Sequence, residues 1–190
     1  MRVDSIARKF MLLAVFNGLL LIPFTAPILV PTLCIATPPG SFGCQASIEI
    51  VWPGTWMLVG FFVFIIVGVL GALAWSLVYY HQWTVLEKHE GRKTLLWLQL
   101  ILFEVGVLGA TSLMATIGFV GGHVLATGGG IAVSAEAIRT LIIPPFSTDP
   151  SSPLYDMPPV AEAAFIGLSL LAQLLGFLNL LTLKKGAASS

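Results

Sequence analysis

The sequence predicts an all-α membrane protein: an antiparallel four-helix transmembrane bundle with N- and C-termini cytoplasmic. Three observations carry that prediction. The chain is 57% hydrophobic and only 9% charged. Its apolar residues fall in four long stretches, and eight of its nine lysines and arginines lie on one side of them. A chain of 190 residues cannot hide so much apolar surface in a soluble core, whereas runs above about 18 apolar residues are long enough to cross a bilayer. The expected organisation is one transmembrane domain over residues 1–190, multi-pass in the cell membrane, with the lipid bilayer as its solvent.

The first span is read from about Ile6 to Val30. Pro23 and Pro27 lie in its outer part and should kink or end the helix, because proline lacks a backbone donor and its ring crowds the preceding turn. A cleaved signal peptide is the competing reading, since Met1 to Lys9 is basic and Cys34-Ile35-Ala36 ends in small residues. The apolar run is long for such a leader, and cleavage would strand Cys44 without a partner. The span is therefore read as retained.

The first outer loop, 31–53, holds both cysteines of the chain, Cys34 and Cys44. An oxidising exterior and their proximity predict a disulfide that closes a short loop. No Cys-x-x-Cys spacing or second pair points to redox chemistry, so the bond is expected to be structural. All twelve prolines fall in the outer half of this topology, which predicts stiff, extended outer connections.

Spans two and three are read from Gly54 to His81 and from Thr94 to Ala126, joined by the short, mixed-charge inner turn Trp83 to Lys93. Small residues recur on both: Gly60, Gly68, Gly71 and Ala72 on span two, and Gly106, Gly109, Ala110, Ser112 and Thr116 on span three. The pairs Gly68-x-x-x-Ala72 and Gly106-x-x-x-Ala110 predict close packing of the two helices within one chain. The second outer loop, 127–158, opens on Gly128-Gly129-Gly130. It continues as Ile131 to Ile143, where Ile131, Ile138, Leu141 and Ile142 share one helical face opposite Glu136, Arg139 and Thr140; this predicts a surface helix along the interface. The glycine triplet lacks the Lys-Ser/Thr and the preceding strand that phosphate binding would need. Span four runs from Pro159 to Leu183.

The basic residues set the orientation. Arg2, Arg8 and Lys9 lie before or at the very start of span one, Lys88, Arg92 and Lys93 lie between spans two and three, and Lys184 and Lys185 follow span four, so all three segments are expected in the cytoplasm. The aromatic residues agree: Trp52 and Trp56 open span two on the outer side, and Tyr79, Tyr80, Trp83 and Trp97 gather at the inner interface.

Within the membrane, Glu104 is the foremost candidate for function. It lies ten residues into span three, Asn17 eleven into span one, and Gln173 ten above Leu183 in span four. At about 1.5 Å rise per residue all three fall near 15 Å depth and form a candidate polar layer close to the midplane. An ionised carboxylate there costs at least about 2.5 kcal/mol, so Glu104 is expected to be protonated, paired with a cation, or hydrated. Either a neutral Glu104 ties helices together through Asn17 or Gln173, or it takes up a proton or a cationic substrate.

The three histidines are spread out. His81 lies at the inner end of span two, His89 in the inner turn, and His123 near the outer end of span three, so His81 and His123 cannot jointly clamp a haem. Each is weighed as a ligand or pH-sensitive group against an interfacial or loop-anchoring role. No nucleophilic triad, paired carboxylates or phosphate loop emerges, so classical hydrolysis has little support, and no cofactor, metal or nucleic-acid partner is implied. The leading functional reading is an accessory or scaffold subunit of a larger membrane complex, associating with other membrane subunits or with itself. The alternative is a small proton-linked or cation carrier that uses Glu104 with Asn17 and Gln173.

Overall fold

The computed structural model of the protein describes residues 2–35, 55–126 and 160–185. Among them, four helices are long and apolar enough to cross a membrane. The first is α1 (Val3–Ile35). The second begins as α2 (Thr55–Val63), passes through a π-helical segment (Phe64–Leu70) and continues as α3 (Gly71–Thr84). The third is α4 (Lys93–Ala126) and the fourth α5 (Val160–Thr182), with two short strands, β1 (Lys88–Glu90) and β2 (Lys184–Lys185). Helices answer the sequence because hydrocarbon offers no partner to backbone N–H and C=O groups, which must then pair within each segment.

Three features depart from expectation. Of the two outcomes expected of Pro23 and Pro27, a kink or an end, the end does not occur: α1 runs through Pro23, Pro27 and Pro31 to Ile35. Proline is tolerated in an apolar helix when the cost of leaving the helix, with its backbone groups unpaired in lipid, exceeds that of one missing bond. Thr25 adds a local bond, its hydroxyl donating to Leu21 O at 2.6 Å. Second, span two is not uniformly α-helical, since seven residues around Gly68 adopt the wider π geometry. Third, the turn between spans two and three holds regular structure: Glu87 takes a left-handed conformation (φ 54°), and the chain then enters β1, which pairs antiparallel with β2. Cys44, Gly128-Gly129-Gly130 and Ile131 to Ile143 lie outside the described residues, and of Cys34 only its helical backbone is described. The expected disulfide therefore falls outside them too.

The chain forms two compact units. The first comprises Met1–Leu19, Phe64–Leu108 and Phe165–Ser190, the second Leu20–Val63 and Gly109–Ala164.

In the first unit, Phe10 is fully buried at the centre of an aromatic cluster. Its ring lies 6.0 Å from Tyr79 in a stacked pair, 5.9 Å from Phe103 edge-on, and 6.5 Å from Trp75. Offset and edge-to-face pairs of this kind add to the energy of burial alone. Leu170, Leu174 and Leu181 of α5 point outward instead, Leu181 with 83% of its surface exposed, as a helix bathed in lipid requires. At one end of this unit β1 and β2 align Lys88 with Lys185 and Glu90 with Lys184, and Arg2 forms a further bridge to Glu90.

The second unit is built on close backbone approach. A Cβ on Gly60 would lie 2.9 Å from Met114 Cβ and 3.0 Å from Thr111 O, and one on Gly118 would strike the backbone of Met57. Only glycine fits at these two contacts between α2 and α4.

Candidate functional site

The central polar contact lies in the first unit, where α1, the π segment and α4 meet. Asn17 is wholly buried, and its Nδ2 donates both to Gly68 O at 3.0 Å and to Glu104 Oε2 at 3.1 Å. The π geometry is the local cause. Widening the turn takes carbonyls out of the i→i+4 alignment, and the missing side chain at Gly68 lets a neighbouring helix come close. A Cβ there would meet Val107 at 3.1 Å. Asn17 Oδ1 and Glu104 Oε1 have no hydrogen-bond partner.

Gln173 does not join this pair. It accepts from Trp75 Nε1 at 2.7 Å, so the expected layer of three divides into Asn17 with Glu104 and Trp75 with Gln173. Equal depth leaves helix rotation free, and the indole N–H is a buried donor that needs an acceptor. The small residues divide as well. Gly68 faces Val107, and Gly71 would place a Cβ 3.4 Å from Phe103, so both are turned toward α4. Gly106 is turned toward α5, where a Cβ would come within 2.8 Å of the Phe165 carbonyl and collide with Ser169. Ala72 and Ala110 are buried, whereas Gly109 is only partly covered.

A second polar cluster lies nearer the strand end of the unit, and the sequence reading missed it. Tyr79, Gln99 and Asn179 are fully buried. Tyr79 Oη donates to Gln99 Oε1 at 2.5 Å, and Asn179 Nδ2 donates to the same oxygen at 3.1 Å. Gln99 Nε2 and Asn179 Oδ1 are left without partners. Gln99 and Asn179 look shallow when counted from the helix ends, which suggests that interfacial water serves them. In the fold, Gly176 admits the Trp75 ring and the Gln99 amide against α5, where any Cβ would collide with both, and this closes the cluster to solvent. The available signal was register, since Tyr79, Gln99 and Asn179 each sit within about two turns of the same helix ends. Ser76 adds one more link, donating to Ala7 O of α1 at 2.9 Å.

His81 and His123 are exposed. The carbonyl of His81 accepts from Val85 N at 2.9 Å, and the His123 ring stacks on Phe119 at 6.4 Å. The second unit holds a cavity of about 350 Å³ lined by Pro23, Phe24, Met57, Ser112, Ala115, Thr116 and Phe119. Its wall is mainly apolar, and the Thr116 hydroxyl is already engaged with Ser112 O at 2.7 Å. Among the described residues, no three His, Cys, Asp or Glu side chains are grouped to hold a metal ion.

Comparison with protein-family models, curated proteins and solved structures gives no match. The site must therefore be read from its own chemistry. It contains a mid-span carboxyl group with one donor on one oxygen, and amide and aromatic pairs that link helix to helix.

Proposed function

We propose that this chain is an accessory or scaffold subunit of a larger membrane complex, seated in the cell membrane with both termini cytoplasmic. The observation that supports this reading most directly is how the buried polar side chains of the first unit are used. Asn17 links α1 to the π segment and to α4, Trp75 links α3 to Gln173 of α5, and Gln99 of α4 receives both Tyr79 of α3 and Asn179 of α5. These groups fix helix register, as hydrogen bonds between membrane helices do at about 0.6 to 2 kcal/mol each. A rigid, register-locked body with apolar flanks suits a subunit that positions others. Tagged protein extracted gently from its own membrane should carry foreign subunits in fixed ratio, whereas a particle of this chain alone would oppose the reading.

A second reading, a small proton-linked or cation carrier, is favoured by one observation: Glu104 Oε1 is buried without a hydrogen-bond partner, beside a π-helical segment. Intramembrane carboxyl groups and π turns both concentrate at functional sites. Reconstituted Glu104→Gln protein discriminates the two. Loss of proton- or cation-coupled flux with normal assembly would support the carrier, and unchanged flux would remove it.

A further inference from the structure

We propose that the strand end of the first unit is a docking surface for the phosphate of an anionic phospholipid headgroup. This goes beyond the scaffold reading and does not depend on it. Its basic residues come from three places far apart in the chain: Arg2, Arg8 and Lys9; Lys88, Arg92 and Lys93; and Lys184 and Lys185. The small sheet gathers them, because β1 pairs with β2 and Glu90 bridges to Arg2. Eight basic residues thereby share one end of the unit with three acidic ones, Asp4, Glu87 and Glu90.

The cations of this end divide into engaged and available. Arg2 and Arg8 both turn to Asp4, at 3.1 and 3.9 Å. Lys9 lies over the Trp97 ring, 4.4 Å from its centroid, and Lys88 Nζ donates to Leu183 O at 3.2 Å. Arg92, Lys93 and Lys184 are exposed, and among the described residues none of them forms an ion pair within 4.0 Å. The surface thus offers three exposed cationic side chains, Lys184 on β2 and Arg92 and Lys93 where the chain passes from β1 into α4, and their charge calls for an anion.

Position selects the lipid over a soluble anion. Trp97 beneath Lys9, and the Tyr80–Trp83 pair with ring centroids 5.8 Å apart, are the amphipathic rings that settle at headgroup depth. Leu181, three residues before Lys184, is an exposed apolar side chain of the kind that hydrocarbon would cover. An anion at this level is most abundant as a headgroup, and clustered Lys and Arg beside a span attract it through charge.

The test uses the full chain, purified in mild detergent and titrated with phosphatidylglycerol or phosphatidylcholine of identical acyl chains, with bound lipid counted by native mass spectrometry. Wild-type protein should retain phosphatidylglycerol at least about tenfold more strongly, a preference that falls as salt screens the contact. Combined Arg92→Gln, Lys93→Gln and Lys184→Gln should bring the preference close to one, and combined Arg92→Lys, Lys93→Arg and Lys184→Arg should keep it. Equal retention of both lipids by wild-type protein would overturn the proposal, as would an unchanged preference in the glutamine variant. Displacement of bound phosphatidylglycerol by millimolar inorganic phosphate would assign the surface to a soluble anion and overturn it as well.

Discussion

Asn17 and Glu104 meet at 3.1 Å although 87 residues separate them in the chain, and the same Asn17 nitrogen holds Gly68 O at 3.0 Å. One amide thus joins α1, the π segment and α4. Its two N–H groups serve two acceptors, and the alternative for each acceptor in hydrocarbon is no partner at all.

Replacing Asn17 by Ala should destabilise the protein by about 1 to 2 kcal/mol, because both acceptors lose their donor together. A double-mutant cycle of Asn17→Ala with Glu104→Ala, which removes the acceptor, read from reversible unfolding in bicelles, should return a coupling of about 0.6 to 2 kcal/mol. Additive effects would show that the two side chains do not interact.

Glycine positions should separate sharply. Gly118→Ala and Gly176→Ala place a methyl group against Met57 and against Trp75 and Gln99, and should cost about 1 to 3 kcal/mol or block folding. Gly18→Ala and Gly167→Ala meet nothing within 4 Å and should be neutral, or stabilising by up to about 1 kcal/mol through helix propensity. Melting temperatures of the four variants decide the matter, and a uniform response would contradict the close approaches.

Tyr79→Phe removes the 2.5 Å bond to Gln99 and keeps the ring against Phe10. The expected cost is about 1 kcal/mol. Gln99→Leu should cost more, since it takes the acceptor from Tyr79 and Asn179 at once and leaves two buried donors unsatisfied. If the two variants melt alike, the cluster does not centre on Gln99.

Labelling with a membrane-impermeant thiol reagent addresses the outer face. On the reading that Cys34 and Cys44 form a disulfide outside the cell, neither reacts in intact cells until a reductant is added. Labelling of either cysteine without reductant would remove the bond.

Much of the fold was legible because lipid simplifies the problem. Four apolar runs give four helices, and their ends fall close to the positions that hydropathy suggests, apart from α1. There Pro23 and Pro27 do not end the helix, since leaving it in hydrocarbon costs more than a missing donor. The π segment at Phe64–Leu70 was not visible, as nothing in Phe-Ile-Ile-Val-Gly-Val-Leu separates π from α geometry by composition. The site was half legible. Depth along each helix brought Asn17 and Glu104 into one layer, but rotation about the helix axis sent Gln173 to Trp75 and turned Gly106 toward α5. Depth also hid the Tyr79, Gln99 and Asn179 cluster, because burial there depends on Gly176 admitting two side chains, a property of the packed pair of helices and not of either one.

We propose that this chain serves a larger membrane assembly through a body whose polar groups lock its own helices together. Native mass and subunit identity of the tagged protein, extracted gently from its own membrane, test it most directly. The expected particle contains this chain and foreign subunits in fixed stoichiometry. A particle made only of this chain would contradict it and would turn attention to flux through Glu104.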